Sequence, residues 1–234
     1  MPAMLVLAID TSSPTGSVAV LRDGQLLSVV SSESAETHSA KLFRQLKNLL
    51  EEHGLAMPAI DLYAVAAGPG SFTGVRVGLT AVKGWAEVYG KPAVPVSALE
   101  AVAAQAPAGL PLVAAVTDAR RGQLFAGLYE RAGDGLRRHG DDVVMPAAEC
   151  LAYLESEARG ESFVFATPSP EWLATVLAGS AHRAARIEAA SVVLAPFIGR
   201  IGIERAQRGE VVDAVGLDAH YVRRSDAEFS RKAP

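Results

Sequence analysis

The sequence predicts an α/β protein built from two duplicated domains, each with a mixed sheet flanked by helices. Continuous apolar runs, at 4–9 and again at 112–117, are typical of strands buried on both faces. Asp23-Gly24 separates two further strand-like segments and is a strong hairpin pattern, so the chain is expected to open with an antiparallel meander of three strands. Amphipathic helical patterns follow the meander, and the same order of elements then recurs.

An internal repeat supports the duplication. Asp10 follows the first predicted strand, and Asp118 follows the strand at the second apolar run, 108 residues later. In both places a glycine, a second strand and a glycine-rich turn come next, and a recurring order of this kind is typical of a duplicated domain. We therefore expect one domain over 1–106 and a more degenerate one over 107–234, with a helix at 191–209 that follows the second half or lies across both.

The composition limits the classes of function. Half of the 234 residues are hydrophobic and the formal net charge is −4, so a sizeable core is expected. Proteins that bind nucleic acid alone usually carry a basic surplus, so any RNA link would run through a partner. The single cysteine, Cys150, excludes an intramolecular disulfide, fits a reducing compartment and is expected to be buried. The start of the chain lacks signal-peptide features and no apolar run approaches the ~20 residues that span a bilayer, so a cytoplasmic protein without membrane contact is expected.

A glycine-rich loop stands between a predicted strand and a predicted helix. It packs four conformationally special residues into seven positions: Gly68, Pro69, Gly70 and Gly74. It is not a Walker A loop, because no Lys follows the last glycine, and its spacing is not that of a dinucleotide fingerprint. Two alternatives stay open. The loop is a tight strand-to-helix connection, or it is an anion cradle at a helix N-terminus that Ser71 or Thr73 caps.

Asp10 and His38 also admit more than one interpretation. An Asp at the carboxyl end of a strand can hold a hydrated metal or a water near a phosphate, or Asp10 and Thr11 can merely shape the turn. His38, at the start of a predicted helix, can be a ligand, a catalytic base or a contact to another subunit. None of the five histidines forms a His-x-x-x-His pair, so no metal site is expected.

One predicted helix, 72–89, is apolar on nearly all sides, whereas the helix at 37–53 is plainly amphipathic. A helix without a polar face is either deeply buried or shared with a partner. Gly78 and Gly84 inside it each cost about 1 kcal/mol relative to Ala, which suggests close approach by a neighbouring helix.

Several segments together resemble the TsaB (YeaZ) family, which takes part in making threonylcarbamoyladenosine in tRNA. They are LAIDTSSPTGSVAV (7–20), Thr37-His38-Ser39, AAGPGSFTGVRVGL (66–79), PVSALEA (95–101), DARRGQLF (118–125) and HYVRRSDAE (220–228). The resemblance implies the actin-like fold of two RNase H-like domains, in agreement with the repeat. It also implies a non-catalytic subunit that stabilises the paralogous transferase TsaD and supports recruitment of the ATPase TsaE, with tRNA reached only through the complex.

The resemblance further implies where the partner binds. Members of the family pair with TsaD, and form homodimers, through the helix after the third strand and the helix after the glycine loop. Those helices are 37–53 and 72–89 here. The interface residues expected on them are His38, Leu42, Leu46, Gly74, Val75, Gly78, Ala81, Val82 and Trp85. On this interpretation the main role of the glycine loop is to set the direction of the second helix, so that the helix faces the partner. The anion cradle becomes the secondary alternative.

A vestigial nucleotide cleft is the remaining expectation. Its residues would be Asp10, Thr11, Ser12, Asp118 and Arg120. No metal or cofactor is expected to be required, and weak binding of ATP or ADP is compatible with the cleft. The alternative function is an actin-like ATPase or small-molecule kinase that uses Asp10 and Asp118 with Mg²⁺, although Arg120 and Arg121 stand where a glycine-rich phosphate loop would be needed. The basic tail pair, Arg223 and Arg224, can meet a phosphate or an acidic partner, or simply be solvated.

Overall fold

The computed structural model of the chain describes residues 4–31, 37–110, 112–133 and 135–222. The side chain of His38 and the tail pair Arg223 and Arg224 lie outside the described part. Within these residues, no helix is both long enough and apolar enough to cross a membrane.

The first sheet has five strands in the order β3-β2-β1-β4-β5. The strands are β1 (Leu5–Asp10), β2 (Ser17–Arg22), β3 (Gln25–Ser31), β4 (Leu62–Gly68) and β5 (Ala93–Ser97), and the helices are α1 (His38–Glu52), α2 (Phe72–Tyr89) and α3 (Ala98–Ala103), with a 3₁₀ turn at Met57–Ala59. Because β1 pairs antiparallel with β2 and β2 with β3, the predicted meander is confirmed. β1 also pairs in parallel with β4, and every residue of these two strands is buried, as central strands covered on both faces require.

The second sheet repeats this topology in the order β10-β9-β6-β7-β8, so that β8 takes the place of β3. The strands are β6 (Leu112–Asp118), β7 (Gln123–Ala132), β8 (Gly135–Pro146), β9 (Val164–Thr167) and β10 (Ile187–Ala189), and the helices are α4 (Ala147–Ala158) and α5 (Pro170–Leu177). β6 pairs antiparallel with β7 and parallel with β9, as β1 pairs with β2 and β4. The duplication expected from the sequence is therefore confirmed at the level of topology.

The last helix, α6 (Ala195–Gln207), follows the second sheet in the chain but packs on the first. A Cβ on Gly199 would lie 2.3 Å from the Leu21 side chain, and a Cβ on Gly202 would lie 2.7 Å from the Ala64 Cβ. Only glycine admits a helix so close to β2 and β4.

This packing changes the expected division of the chain. Among the described residues, one compact unit comprises those up to Ala101 together with Ser191–Ala219, and the other comprises those of Val102–Ala190 and 220–222. The first boundary lies close to the one expected between 106 and 107. The segment with α6, for which the sequence leaves two positions open, belongs to the first unit through its glycine contacts.

Two strands of the second sheet, β8 and β10, are not predicted by the sequence. The first half of β8 is largely exposed and polar, so it has no apolar alternation, and β10 has only three residues. In the same unit Cys150 is buried, as expected, and this burial raises the pKa of its thiol to about 12. The thiol is therefore a core residue and not a nucleophile.

Candidate functional site

Asp10, at the end of β1, uses its carboxylate to shape its own turn. The backbone N–H and the hydroxyl of Ser12 donate to Asp10 Oδ1 at 2.8 and 2.6 Å, and the Ser13 hydroxyl donates to Oδ2 at 3.3 Å. Asp10 and Ser12 are both buried. Because both carboxylate oxygens have donors within the chain, the geometry favours the turn-shaping alternative over a metal or phosphate ligand.

The glycine-rich loop after β4 packs against this turn. The Ser71 N–H donates to Ser12 O, and the Thr11 hydroxyl donates to Gly74 O, each at 2.7 Å. A Cβ on Gly74 would lie 1.9 Å from Thr11 O, and one on Gly70 would lie 2.4 Å from Ser12 O. The Ser71 hydroxyl caps α2 by accepting from the Gly74 N–H at 3.2 Å. The glycines of the loop therefore leave room for the backbone of Thr11 and Ser12 in the turn after β1. This close contact favours the tight connection over the anion cradle.

Six of the residues expected at a partner interface lie inside the first unit instead. They are Leu42, Leu46, Gly74, Val75, Gly78 and Val82, all of them buried. A Cβ on Gly78 would lie 2.5 Å from the Thr11 hydroxyl oxygen, so the close approach inferred at this glycine comes from the turn after β1 and not from a neighbouring helix. The leucines and valines belong to the core of the first sheet. Packing within the chain thus accounts for all six positions.

The exposed side of α1 and α2 forms an apolar groove of about 620 Å³. It is lined by Ser39 and Phe43 of α1 and by Phe72, Thr73, Arg76, Val77, Thr80, Ala81 and Gly84 of α2. Phe43 is 54% exposed and Phe72 is 38% exposed. Large apolar side chains that are exposed together on one surface are typical of interaction sites.

Two of the expected interface residues lie at this groove. Ala81 lines it, and the half-buried Trp85 stacks edge to face with Phe43 at 6.1 Å between ring centres. The Trp85 ring also lies 6.0 Å from that of Tyr63, which is fully buried. A continuous aromatic contact therefore joins the groove to the core of the unit. The third candidate, His38, begins α1, but its side chain is outside the described part.

Gly84 differs from the other two glycines of α2, Gly74 and Gly78. It is exposed in the groove, and no neighbouring atom lies within 4 Å of the position that a Cβ would take. A glycine inside a helix costs about 1 kcal/mol relative to Ala, and nothing that packs on it from the described chain offsets this cost. An open glycine on an apolar helix face suits the close approach of a second helix.

Tyr63 provides a test of the packing beside Trp85. Its hydroxyl is buried without a hydrogen-bond partner, and burial, followed by the charge of Tyr89, raises its pKa to about 12. Tyr63→Phe is expected to raise the free energy of unfolding by about 1 kcal/mol at pH 7, because it removes an unsatisfied buried group. In the unfolded chain Tyr63 ionises near pH 10 and in the folded chain near pH 12, so the wild type loses stability as the pH rises above 10 and the variant loses less. Urea unfolding of the wild type and of Tyr63→Phe at pH 7 and above pH 10 measures the difference in stability. A variant that is less stable than the wild type at each pH would contradict the prediction.

Asp118, the counterpart of Asp10 in the second unit, is also bound within its own turn. The Arg120 N–H donates to Asp118 Oδ1 at 2.7 Å, and the Arg120 guanidinium lies 3.7 Å from Oδ2. Arg120 and Arg121 have φ angles of 65° and 55°, a region that glycine normally occupies. Over the described residues, no group of three or more His, Cys, Asp or Glu side chains is placed to hold a metal ion.

The sequence patterns did not single out most of the groove. The groove is lined by Phe43, Phe72, Arg76 and Thr80, among others, and the sequence does not predict these four as interface residues. The available signal was a second stripe on α2, at positions 73, 76, 80 and 84, with the same three-to-four-residue spacing as the buried stripe. Apolar periodicity identifies the buried face first, so the exposed stripe was not separated from it.

The chain is similar to proteins of tRNA threonylcarbamoyladenosine biosynthesis. The family model described as TsaD, tRNA N6-adenosine threonylcarbamoyltransferase, matches residues 27–195. The Bacillus subtilis tRNA threonylcarbamoyladenosine biosynthesis protein TsaB is 34% identical over 161 residues, which cover 69% of this chain and 70% of that protein. This chain belongs to the TsaB (YeaZ) family. YeaZ from Pseudomonas aeruginosa superposes with a TM-score of 0.78 at 28% identity, over 93% of this chain and 99% of that one.

The fold also extends beyond the TsaB family. A Listeria monocytogenes protein described as a candidate N-acetylmannosamine kinase superposes with a TM-score of 0.50 at 13% identity, over 88% of this chain and all of that one. At that identity the likeness shows the fold alone. Together with the repeated five-stranded sheets, it confirms the actin-like class of two duplicated domains.

Proposed function

We propose that this chain is a non-catalytic scaffold subunit of the machinery that forms threonylcarbamoyladenosine in tRNA. In this proposal it binds and stabilises a TsaD-type transferase at the α1–α2 groove and supports recruitment of a TsaE-type ATPase. It reaches tRNA only through the complex, forms a homodimer in isolation and acts in the cytoplasm. TsaB-family membership supports the pathway, and the groove supports the mode of action.

The groove with its open glycine is the observation that carries the proposal. Phe43 and Phe72 expose apolar surface on one side of two helices, and burying such surface stabilises a complex by roughly 25 cal/mol per Å² before the costs of association. Gly84 lets a partner backbone come closer to α2 than any other residue at that position would. These features fit a helix of another subunit.

The match to the TsaD model supports a TsaD-type protein as this subunit. The matched region, 27–195, includes both α1 and α2, so a TsaD-type protein is expected to carry an equivalent pair of helices. Two similar helix pairs can pack face to face about a pseudo-twofold axis, as identical ones do in a symmetric dimer. The same reasoning supports a homodimer when the partner is absent.

The alternative, an ATPase or kinase that uses Asp10 and Asp118 with Mg²⁺, has less support. Both Asp10 oxygens accept hydrogen bonds from Ser12 and Ser13, and Asp118 accepts one from Arg120. Weak binding of ATP or ADP without turnover remains compatible with a scaffold that requires no cofactor. Calorimetry with ATP and Mg²⁺ separates the two functions, because tight binding with turnover would favour the enzyme.

Gly84→Arg tests the scaffold function. The variant is expected to bind the cognate TsaD-type protein at least about 100-fold more weakly, because a long charged side chain would project from a residue that lines the groove. Its melting temperature should stay near that of the wild type, since a Cβ at this position would meet no neighbouring atom within 4 Å. Calorimetric titration measures binding, and a reconstituted tRNA-modification assay with TsaD-type and TsaE-type proteins measures function.

Gly179→Arg is the matched control. Gly179 is also exposed and has open space at its Cβ position, but it lies in the second unit and does not line the groove. The Gly179→Arg variant is expected to bind the TsaD-type protein, and to function in the modification assay, as the wild type does. Undiminished binding by Gly84→Arg would count against the groove as the TsaD site.

A further inference from the structure

The turn between β6 and β7 carries two adjacent exposed arginines, Arg120 and Arg121, in a backbone conformation that opposes them. Their φ angles are 65° and 55°, in the left-handed region that glycine adopts readily and in which the Cβ of other residues is crowded. The β2–β3 turn meets the same requirement with Asp23-Gly24, a pair that such turns prefer. Arginine at both positions costs stability, so the conformation of the turn does not account for the two charges.

Hydrogen bonds of the main chain fix this turn. Asp118 Oδ1 accepts from the Arg120 N–H at 2.7 Å. The Ala119 N–H donates to Gln123 O, and the Gln123 N–H donates to Arg120 O, each at 3.0 Å. All three bonds would form equally well with glycine at position 120. The Arg120 guanidinium also lies 3.7 Å from Asp118 Oδ2, but the Arg120 side chain is 79% exposed, and ion pairs this exposed contribute little to stability.

Two neighbouring guanidinium groups match the phosphates of a nucleic acid backbone. Each guanidinium has five N–H donors in a planar fork, so one that already has a contact within its own chain still has donors to offer. The fork fits the oxygens of a phosphate, and two adjacent arginines can meet successive phosphates of one strand. Contacts of this kind position a nucleic acid without reading its sequence.

We infer that the turn at 118–123 binds phosphate, and that it contacts the backbone of tRNA when this chain is part of the complex with a TsaD-type protein. The inference rests on the proposed function, which supplies the complex and the tRNA. The chain alone has a formal net charge of −4, so its basic turn is not expected to hold RNA by itself. Within the complex the turn adds phosphate contacts that help to orient the tRNA.

Replacing both arginines with glycine separates their charge from the geometry of the turn. Arg120→Gly/Arg121→Gly is expected to unfold at a urea concentration no lower than the wild type does, because relief of crowding offsets the greater freedom of glycine in the unfolded chain. Its complex with the cognate TsaD-type protein should bind tRNA at least about 10-fold more weakly at about 0.1 M salt. The slope of log K against log salt concentration should fall by about 1 for each arginine removed. Fluorescence anisotropy of labelled tRNA at several salt concentrations measures both.

A third arginine provides the matched control. Arg159, at the C-terminal end of α4 in the same unit, is also exposed and has a φ of 51°. Arg159→Gly therefore makes the same change of backbone preference and removes one positive charge elsewhere, and its complex should bind tRNA within about twofold of the wild type. Arg120→Lys/Arg121→Lys keeps both charges at the same φ angles, so tRNA binding should stay within about threefold.

Three outcomes would overturn the inference. The first is unchanged tRNA binding by the double glycine variant, and the second is equal weakening by Arg120→Gly and Arg159→Gly. The third is weaker binding of ATP by the isolated double glycine variant while its complex binds tRNA normally, which would assign the turn to a nucleotide.

Binding of the TsaD-type protein separates this inference from the proposed function. The double glycine variant should bind that protein as the wild type does, because the turn lies in the second unit and does not line the groove. Normal TsaD binding together with normal tRNA binding by this variant would overturn the inference alone. A wild type that does not bind the TsaD-type protein would overturn the proposed function, and the inference with it.

Discussion

Replacing Gly74 with alanine is expected to lower the free energy of unfolding by about 3 kcal/mol or more. The added Cβ would lie 1.9 Å from the carbonyl oxygen of Thr11 and 3.1 Å from its carbonyl carbon. Both are backbone atoms, so no change of rotamer relieves the clash. Moving α2 away from the turn after β1 would instead break the hydrogen bond from the Thr11 hydroxyl to Gly74 O and disturb the N-terminal cap that Ser71 forms. The substitution therefore disrupts the contact between Gly74 and Thr11 that holds α2 against the turn after β1.

Gly84→Ala is the matched control in the same helix. Because a Cβ at Gly84 would meet no neighbouring atom within 4 Å, alanine should raise the free energy of unfolding by up to about 1 kcal/mol, through helix propensity alone. Urea unfolding followed by circular dichroism measures both variants. Similar effects of the two substitutions would contradict the packing of the glycine loop described above.

Asp142→Ala is expected to have the second large effect and to lower the free energy of unfolding by about 3 kcal/mol. The Asp142 side chain is fully buried in the second unit and accepts a hydrogen bond from the Tyr129 hydroxyl at 2.6 Å. Its other oxygen lies 3.6 Å from the Arg138 guanidinium and 4.0 Å from His220 Nε2. Alanine would leave the buried Tyr129 hydroxyl without this acceptor and remove the negative charge that faces two basic side chains.

The neighbouring Asp141 provides the control. Its side chain is 83% exposed and lies 3.5 Å from Arg138, so Asp141→Ala removes the same charge from the same strand at the surface. It should change stability by no more than about 0.5 kcal/mol. Thermal and urea unfolding of the pair give the difference. If Asp142→Ala is as stable as Asp141→Ala, the buried carboxylate does not hold this part of β8 in place.

Most of the fold was predictable because its patterns are local. Apolar runs indicate the central strands β1 and β6, and Asp23-Gly24 indicates the hairpin between β2 and β3. The repeated position of Asp10 and Asp118 predicts the duplicated topology. β8 was not predictable, because its polar first half becomes a strand only by pairing with β7.

The candidate site was predictable only as a pair of helices. The resemblance to the TsaB family indicates α1 and α2, and of the nine expected interface residues Ala81 and Trp85 lie at the exposed groove. The sequence predicts the buried residues together with them because α2 is apolar on both faces, and periodicity does not say which apolar face packs inside the chain. Phe43 and Arg76 become recognisable only from their exposure.

By itself, the sequence determined the fold class and the family, and it singled out the turn after β1 and the glycine loop after β4 as separate features. Only the tertiary structure decided what each glycine of α2 faces: Gly74 and Gly78 face Thr11, and Gly84 faces open space. The physical reason is that a glycine in a helix indicates that a backbone can come close, but not which backbone does. That depends on contacts between distant parts of the chain, such as the hydrogen bond that joins Thr11 to Gly74 across 63 residues.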